Sequence, residues 1–246
     1  MFDHDLKFSV CCLVFMLPLF LACQRQPESG KASISAQFDA AWGEKILLEE
    51  MDPTGLRRID SANFGADGRV SFTVSLKEPA FYLLSSGTKG VLVLLLQPGE
   101  NTVITGRWPD FPKKMLIKGS PGSKTLLEFF NYSSCNKERL DSLGSILVEK
   151  QDDDDFYQVS RVLDPQFNAI YEDQRRYQKA FIDNHLQSLA ALIALNYAFG
   201  LHPVLTLKDD PDYYRKVDSS LVKAYPGNKH VVFHHQRMVE FQQEAK

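Results

Sequence analysis

The stretch Asp67-Gly-Arg-Val-Ser-Phe-Thr-Val-Ser-Leu76 decides the fold class. Val70, Phe72, Val74 and Leu76 alternate with Arg69, Ser71, Thr73 and Ser75. Successive side chains of a strand point to opposite faces, so this period of two predicts a strand with one buried and one wet face. The Asp67-Gly68 pair ahead of it favours a tight turn and predicts a hairpin with the segment before it, Leu56 to Ala62. Further back, Asp52-Pro-Thr-Gly55 is a turn that follows a strand over Glu44 to Met51, and Ile34, Ala36 and Phe38 alternate in the same way. Forward of the opening stretch lie Ala80 to Ser85 and the unbroken apolar run Val91 to Leu96, expected to be buried on both faces. Pro98-Gly99 then turns the chain into Asn101 to Gly106. Strands at this spacing predict an antiparallel β sandwich or barrel over residues 32–120.

After Gly119-Ser-Pro-Gly122 the apolar period lengthens to that of a helix. Leu126, Leu127 and Phe130, then Leu140, Leu143, Ile146 and Leu147, fall on helical stripes. Asp152 to Asp155 precede Phe156, Val159, Val162 and Leu163, where acidic residues favour a helix N-terminus. One long helix is expected over Tyr171 to Leu201, with Leu186, Leu189, Ala190, Ile193 and Tyr197 on one face; Pro203 ends it. Two more are expected over Asp209 to Ala224 and Asn228 to Glu244. The fold class is thus α+β, with a helical bundle over 121–246 behind the β half.

The N-terminus is of another kind. An apolar run from Phe8 to Ala22, flanked by Lys7, is too short for a bilayer span of about 20 residues but suits the apolar core of a secretory signal. Phe20 is too bulky three places before ordinary cleavage after Ala22. Phe20-Leu-Ala-Cys23 instead resembles a bacterial lipobox, which implies a lipoprotein signal at residues 1–22 and lipidation of Cys23. Residues 23–31 follow as a polar tether. The partner implied here is the lipid bilayer, reached through acylated Cys23. No acidic pair follows Cys23, so the expected location is the bacterial envelope with the body facing the periplasm.

Composition narrows the function classes. The 246 residues are 44% hydrophobic, enough for a core, and 24% charged with a net charge of −3, which gives no basic footprint for nucleic acid. Of four cysteines, Cys11, Cys12 and Cys23 belong to the N-terminal segment, leaving Cys135 alone in the body. A disulfide framework or a CxxC redox pair is thereby excluded from the body. A buried position is the expected fate of this small residue.

Ile59-Asp-Ser-Ala62, Asp67-Gly-Arg-Val-Ser-Phe72, Glu78-Pro-Ala-Phe-Tyr82, Leu94-Leu-Leu-Gln-Pro-Gly-Glu100 and Ile117-Lys-Gly-Ser120 follow one another in a specific order. In that order they resemble the uncharacterised N-terminal domain of TlpA/ResA-like envelope thiol:disulfide oxidoreductases. Phe181-Ile182, Ser188-Leu189 and Tyr225-Pro-Gly-Asn228 resemble the helical connector of the same proteins. The resemblance implies a thioredoxin domain, whose CxxC does the chemistry, beyond a region like this one; the present sequence holds no such motif. No catalytic residue, cofactor or enzymatic activity is therefore expected of it.

Three further groups of residues are candidates for a site. His230 and His234 share a helix face, a spacing that suits zinc, but a half-buried polar face is the expected outcome, and His235 adds no third ligand on that face. Asp152 to Asp155 lack the alternating ligands and glycine of a calcium loop. Trp42, Trp108, Phe81 and Tyr82 supply rings for stacking on a sugar if the β half binds carbohydrate. The leading expectation is a non-catalytic binding or scaffolding lipoprotein with an envelope protein as partner. The alternatives are the remnant, or separately encoded front half, of a TlpA-like oxidoreductase, and a carbohydrate-binding lipoprotein.

Overall fold

The computed structural model describes residues 30–87 and 89–244. The expected signal segment, Cys23 and the expected tether up to residue 29 lie outside the described residues. Eight strands come first: β1 (Lys31–Asp39), β2 (Lys45–Asp52), β3 (Gly55–Asn63), β4 (Arg69–Ser75), β5 (Ala80–Ser86), β6 (Gly90–Leu96), β7 (Asn101–Arg107) and β8 (Leu116–Lys118). They form two open four-stranded sheets, ordered β4-β1-β7-β8 and β3-β2-β5-β6. The α+β class holds, and the sheets do not close into a barrel.

Alternate residues of both sheets fill one core. Ile34, Ala36 and Phe38 of β1, Phe72 and Val74 of β4 and Ile104 of β7 meet Ile46 and Leu48 of β2, Tyr82 and Leu84 of β5 and Leu94 and Leu96 of β6. The rings of Phe38, Phe64, Trp108 and Phe111 close one end, with centroids 5.1–5.7 Å apart. On the outer face of the first sheet β4 presents Arg69, Ser71, Thr73 and Ser75, as its alternation requires, while Val103 and Leu116 are exposed on β7 and β8.

Two expectations need correction. The arrangement is not purely antiparallel, because β1 runs parallel to β7, Ile34 opposite Thr102 and Ala36 opposite Ile104. Main-chain bonds from Gly99 N to Lys31 O and from Ser33 N to Glu100 O set that register, so Lys31 belongs to the sheet and not to the tether. Asp67-Gly68 is not a hairpin turn either, since β3 and β4 lie in different sheets. It is the corner at which the chain crosses between layers. Asp67 Oδ1 accepts from Arg69 N, and Phe38 N donates to Gly68 O, so the preference for a turn is satisfied against β1.

The helices are α1 (Pro121–Glu149), α2 (Phe156–Asn184), α3 (Ala190–Leu195), α4 (Pro211–Ala224) and α5 (Lys229–Glu244), with a small hairpin of β9 (Ala198–Phe199) and β10 (His202–Pro203) after α3. Helix α2 begins where the acidic run ends, with Asp155 at its N-cap. The single helix expected over 171–201 is broken at His185, and α3 is a separate element.

These helices do not form a free-standing bundle. They pack on the outer face of the second sheet, where Phe81 and Leu95 join Leu126, Phe129, Ile182, Leu195 and Val217 in a second core. Within Val91–Leu96, Leu92 and Leu94 to Leu96 are accordingly buried and Val93 is half-buried, while Val91 is exposed. The start of α1 covers the edge of β6: Ser120 and Ser123 both donate to Leu95 O, and Leu95 N donates to Ser123 Oγ at 3.0 Å. A second seam joins α5 to the sheet. Asn228 caps α5 by accepting from His230 N and donates to Pro79 O at 2.8 Å. Lys229 then reaches the buried Glu50, which Arg57 also pairs, and Asp52 at 2.8 Å.

Candidate functional site

Among the hollows of the described residues, two are formed by the helices with each other and with the second sheet. The larger, about 1060 Å³, is a groove beside the outer half of the α1–α2 hairpin. The inner half of that hairpin is tied by a buried polar network. Asn136 donates to Asp173 and Gln174, Gln174 donates to Ser133 at 2.9 Å, and Tyr132 Oη donates to Asp173 at 2.8 Å. The Tyr132 hydroxyl and the Asn136 amide hold the Asp173 carboxyl below the usual carboxylate range. Beyond Asn136 no residue of α1 is buried. About 13 residues, ~20 Å of helix at 1.5 Å each, therefore project beyond the second core, with α2 alongside and Lys113 paired to Glu138 near their start. Leu140, Val148, Phe167 and Tyr171 line the groove, and Phe199 of the small hairpin closes its inner end. Tyr171 Oη donates to His202 O at 3.0 Å, which holds the hairpin against α2. Leu201 at its tip is 95% exposed.

The smaller hollow, about 460 Å³, sits between the second sheet and the helices. Phe81 comes from β5, Phe130 from α1, Leu192 and Ile193 from α3, and His230, His234 and Arg237 from α5. The capping of α5 by Asn228 places His230 edge-on against Phe81, with centroids 4.9 Å apart. One turn later His234 lies nearly parallel to the Tyr214 ring at 6.2 Å. Both histidines are buried, and the Nε2 atom of each has no hydrogen-bond partner among the described residues. The spacing that marked this pair in the sequence therefore describes a real common face, more buried than expected. His235 points elsewhere and pairs with Asp218 at 2.9 Å.

Burial pushes both imidazoles below the ordinary histidine pKa. For His230 the Lys229 ammonium adds to that shift, against Asp52, Glu50 and the Met51 main chain. For His234 the Asp218 carboxylate and the Tyr214 main chain oppose it, while Arg237 and His235 add to it. Both rings are thus neutral at pH 7. In the unfolded chain they take up protons near pH 6.5, before the folded chain does, so acid favours unfolding. The unfolding free energy measured by urea titration is expected to stay level above about pH 7.5 and to fall from about pH 6.5 to 5. In His234→Leu the fall should be smaller; an equal fall would show that other groups produce it.

The remaining candidates are placed as follows. Cys135 is exposed on α1, against the expectation of burial, because its helix position faces away from both cores. Trp108, Phe81 and Tyr82 are core residues at 1–2% exposure and offer no stacking face, whereas Trp42 is 77% exposed. Asp152 to Asp155 are all exposed ahead of α2. Among the described residues no three or more His, Cys, Asp or Glu side chains converge as a metal site, and no helix is long and apolar enough to cross a membrane. The groove escaped sequence reading because Leu140, Val148 and Phe167 carry the same helical period as core residues. The one visible signal was an apolar stripe continuing past the length that the sheet can cover.

No curated protein matches the chain. Residues 31–126, the whole two-sheet layer and the first turn of α1, match the family model described as Domain of unknown function (DUF4369).

Proposed function

We propose that the protein is a lipoprotein of the bacterial envelope, held in the bilayer through acylated Cys23, whose body binds or scaffolds an envelope protein without catalysis of its own. The observation that carries this reading is the projecting α1–α2 hairpin with its apolar groove. Side chains such as Val148 and Val162, about two-thirds exposed, cost free energy in water that a partner's apolar face would recover. A groove between helices suits an amphipathic helix from that partner. The anchor rests on the Phe20-Leu-Ala-Cys23 sequence, and two or more acyl chains on one cysteine would make it stable. A body facing the periplasm follows from the absence of an acidic pair after Cys23.

The order of motifs shared with TlpA/ResA-like proteins favours a second reading, in which this is the separately encoded front half of such an enzyme and the partner is thioredoxin-like. One experiment addresses both. Cells expressing the full chain are labelled with palmitate, and a photo-crosslinking residue is placed at Val148 or, as a control, at Thr73 on the outer face of the first sheet. Label is expected on the wild type and absent from Cys23→Ser, and crosslinks are expected from position 148 only. Label persisting in Cys23→Ser would refute the anchor, and equal crosslinking from both positions would refute the groove as the docking face. A thioredoxin-like crosslinked partner would decide for the second reading.

A further inference from the structure

We propose that the hollow between the second sheet and α5 is a small-molecule site for an apolar, ring-sized compound carrying a hydroxyl or N–H donor and an acidic end, with His230 and His234 as acceptors and Arg237 as the partner of the acid. The proposal goes beyond a protein-docking role and does not depend on it.

The first observation is the pair of orphaned nitrogens. Nε2 of His230 and Nε2 of His234 are both shut off from solvent and both lack a partner. Buried polar atoms of folded proteins are almost always bonded, and leaving one unbonded is costly. Here two such atoms occur one helical turn apart, on rings that line one hollow. Rotation about χ2 of histidine is soft, so a small turn of either ring presents Nε2 to the hollow.

The walls and the rim supply the rest of the ligand description. Phe81, Phe130, Leu192 and Ile193 ask for an apolar body. The volume, about 460 Å³, is within the range of small-molecule sites. At the rim Arg237 is exposed and, among the described residues, has neither an ion pair nor a hydrogen bond, while Asp52 is already paired with Lys229. The open charge at the hollow is therefore positive and calls for a carboxylate or another acid. Its position, between a sheet and the helices packed on it, is where ligand sites commonly form.

The full-length protein in detergent, with its histidine rings labelled with nitrogen-15, is titrated with 3-(4-hydroxyphenyl)propionate, with 3-phenylpropionate, with 4-ethylphenol and with zinc chloride. The hydroxy acid should bind saturably and shift the ring nitrogens of His230 and His234 but not those of His235. Loss of the hydroxyl or of the acid should weaken binding about three- to tenfold, the worth of one hydrogen bond or one partly exposed ion pair. Arg237→Gln, a surface change that leaves the fold intact, should remove the preference for the acid. His234→Leu, checked for folding by its thermal transition, should remove the preference for the hydroxyl. The proposal is overturned if none of the three organic probes binds up to about 10 mM. It is also overturned if Arg237→Gln and His234→Leu leave the affinities unchanged, or if zinc alone moves the two rings, which would make the pair a metal site.

Discussion

Gly119→Ala should destabilise the folded state severely. Gly119 joins β8 to α1 with φ at +76°, a region that L residues other than Asn and Asp avoid. A methyl group there would stand 1.9 Å from the carbonyl oxygen of Asn101 and 3.0 Å from its carbon. Both are main-chain atoms at the start of β7, which pairs β1 on one side and β8 on the other, so neither can step aside. Relief requires β8 to leave β7 or α1 to leave the β6 edge, where Ser120 and Ser123 hold Leu95. A left-handed residue alone costs about 1–2 kcal/mol, and the collision adds enough to give ~4 kcal/mol or more. For a chain of this length that is a fall in melting temperature of about 10 °C or more. Gly144→Ala is the matched control, since nothing lies within 4 Å of its added methyl in the middle of α1. There the change should stabilise by about 0.5–1 kcal/mol. Similar melting temperatures for the two variants would contradict the geometry of the junction.

Phe129→Ala should cost about 3–5 kcal/mol, by the cavity left when a fully buried ring is removed. The ring is central to the helical layer: Phe181 lies at 4.8 Å, Tyr197 at 5.4 Å, Phe130 at 5.5 Å and Tyr177 at 5.8 Å. These neighbours come from α1, α2 and the segment after α3, so no single side-chain shift can fill the space. The loss should fall on the second core. Amide exchange is expected to accelerate in α2 and α3 while β1 and β4, which touch only the first core, keep their protection. Uniform acceleration across both cores would mean that the two layers unfold as one unit.

The sequence announced the strands clearly because the β layer is written in local terms. The alternation of Val70, Phe72 and Val74 and the turn at Asp52-Pro53-Thr54-Gly55 each require only the neighbouring few residues. The partners of the strands were another matter. Nothing local to β1 says that it will lie parallel to β7, some 68 residues away at the Ser33–Asn101 hydrogen bond. Asp67-Gly68 misled for the same reason: it specifies a change of direction, and whether the next strand pairs with the last is a tertiary decision. In the helical half, residues 185–189 contain neither Gly nor Pro, so the break after α2 had no conventional marker. A signal was present in Ser188, whose Oγ accepts from Ala190 N just as α3 begins. The break itself is paid for by burial, since Ala190, Ala191, Leu192, Ala194 and Leu195 are all buried in the second core. Of the candidate sites, the histidine pair was legible as a spacing. Its burial was not, because it depends on β5 and on Asn228 meeting Pro79.

The contact between Lys229 and Glu50 has a consequence for the order of events on the ribosome. The two residues are 179 positions apart, and synthesis proceeds at about 5–20 residues per second, so Glu50 waits roughly 9–36 s for its ammonium partner. During that time its local partner Arg57, already present in the neighbouring strand, is the only cation offered to it by this seam. The two sheets can meet through their first core in the meantime, but Phe81 and Leu95 then face outward uncovered. The nascent chain thus presents an apolar sheet surface until α1 emerges to cover Leu95, and Phe81 lacks its His230 neighbour until α5 follows, an interval open to holdase chaperones that recognise such surfaces.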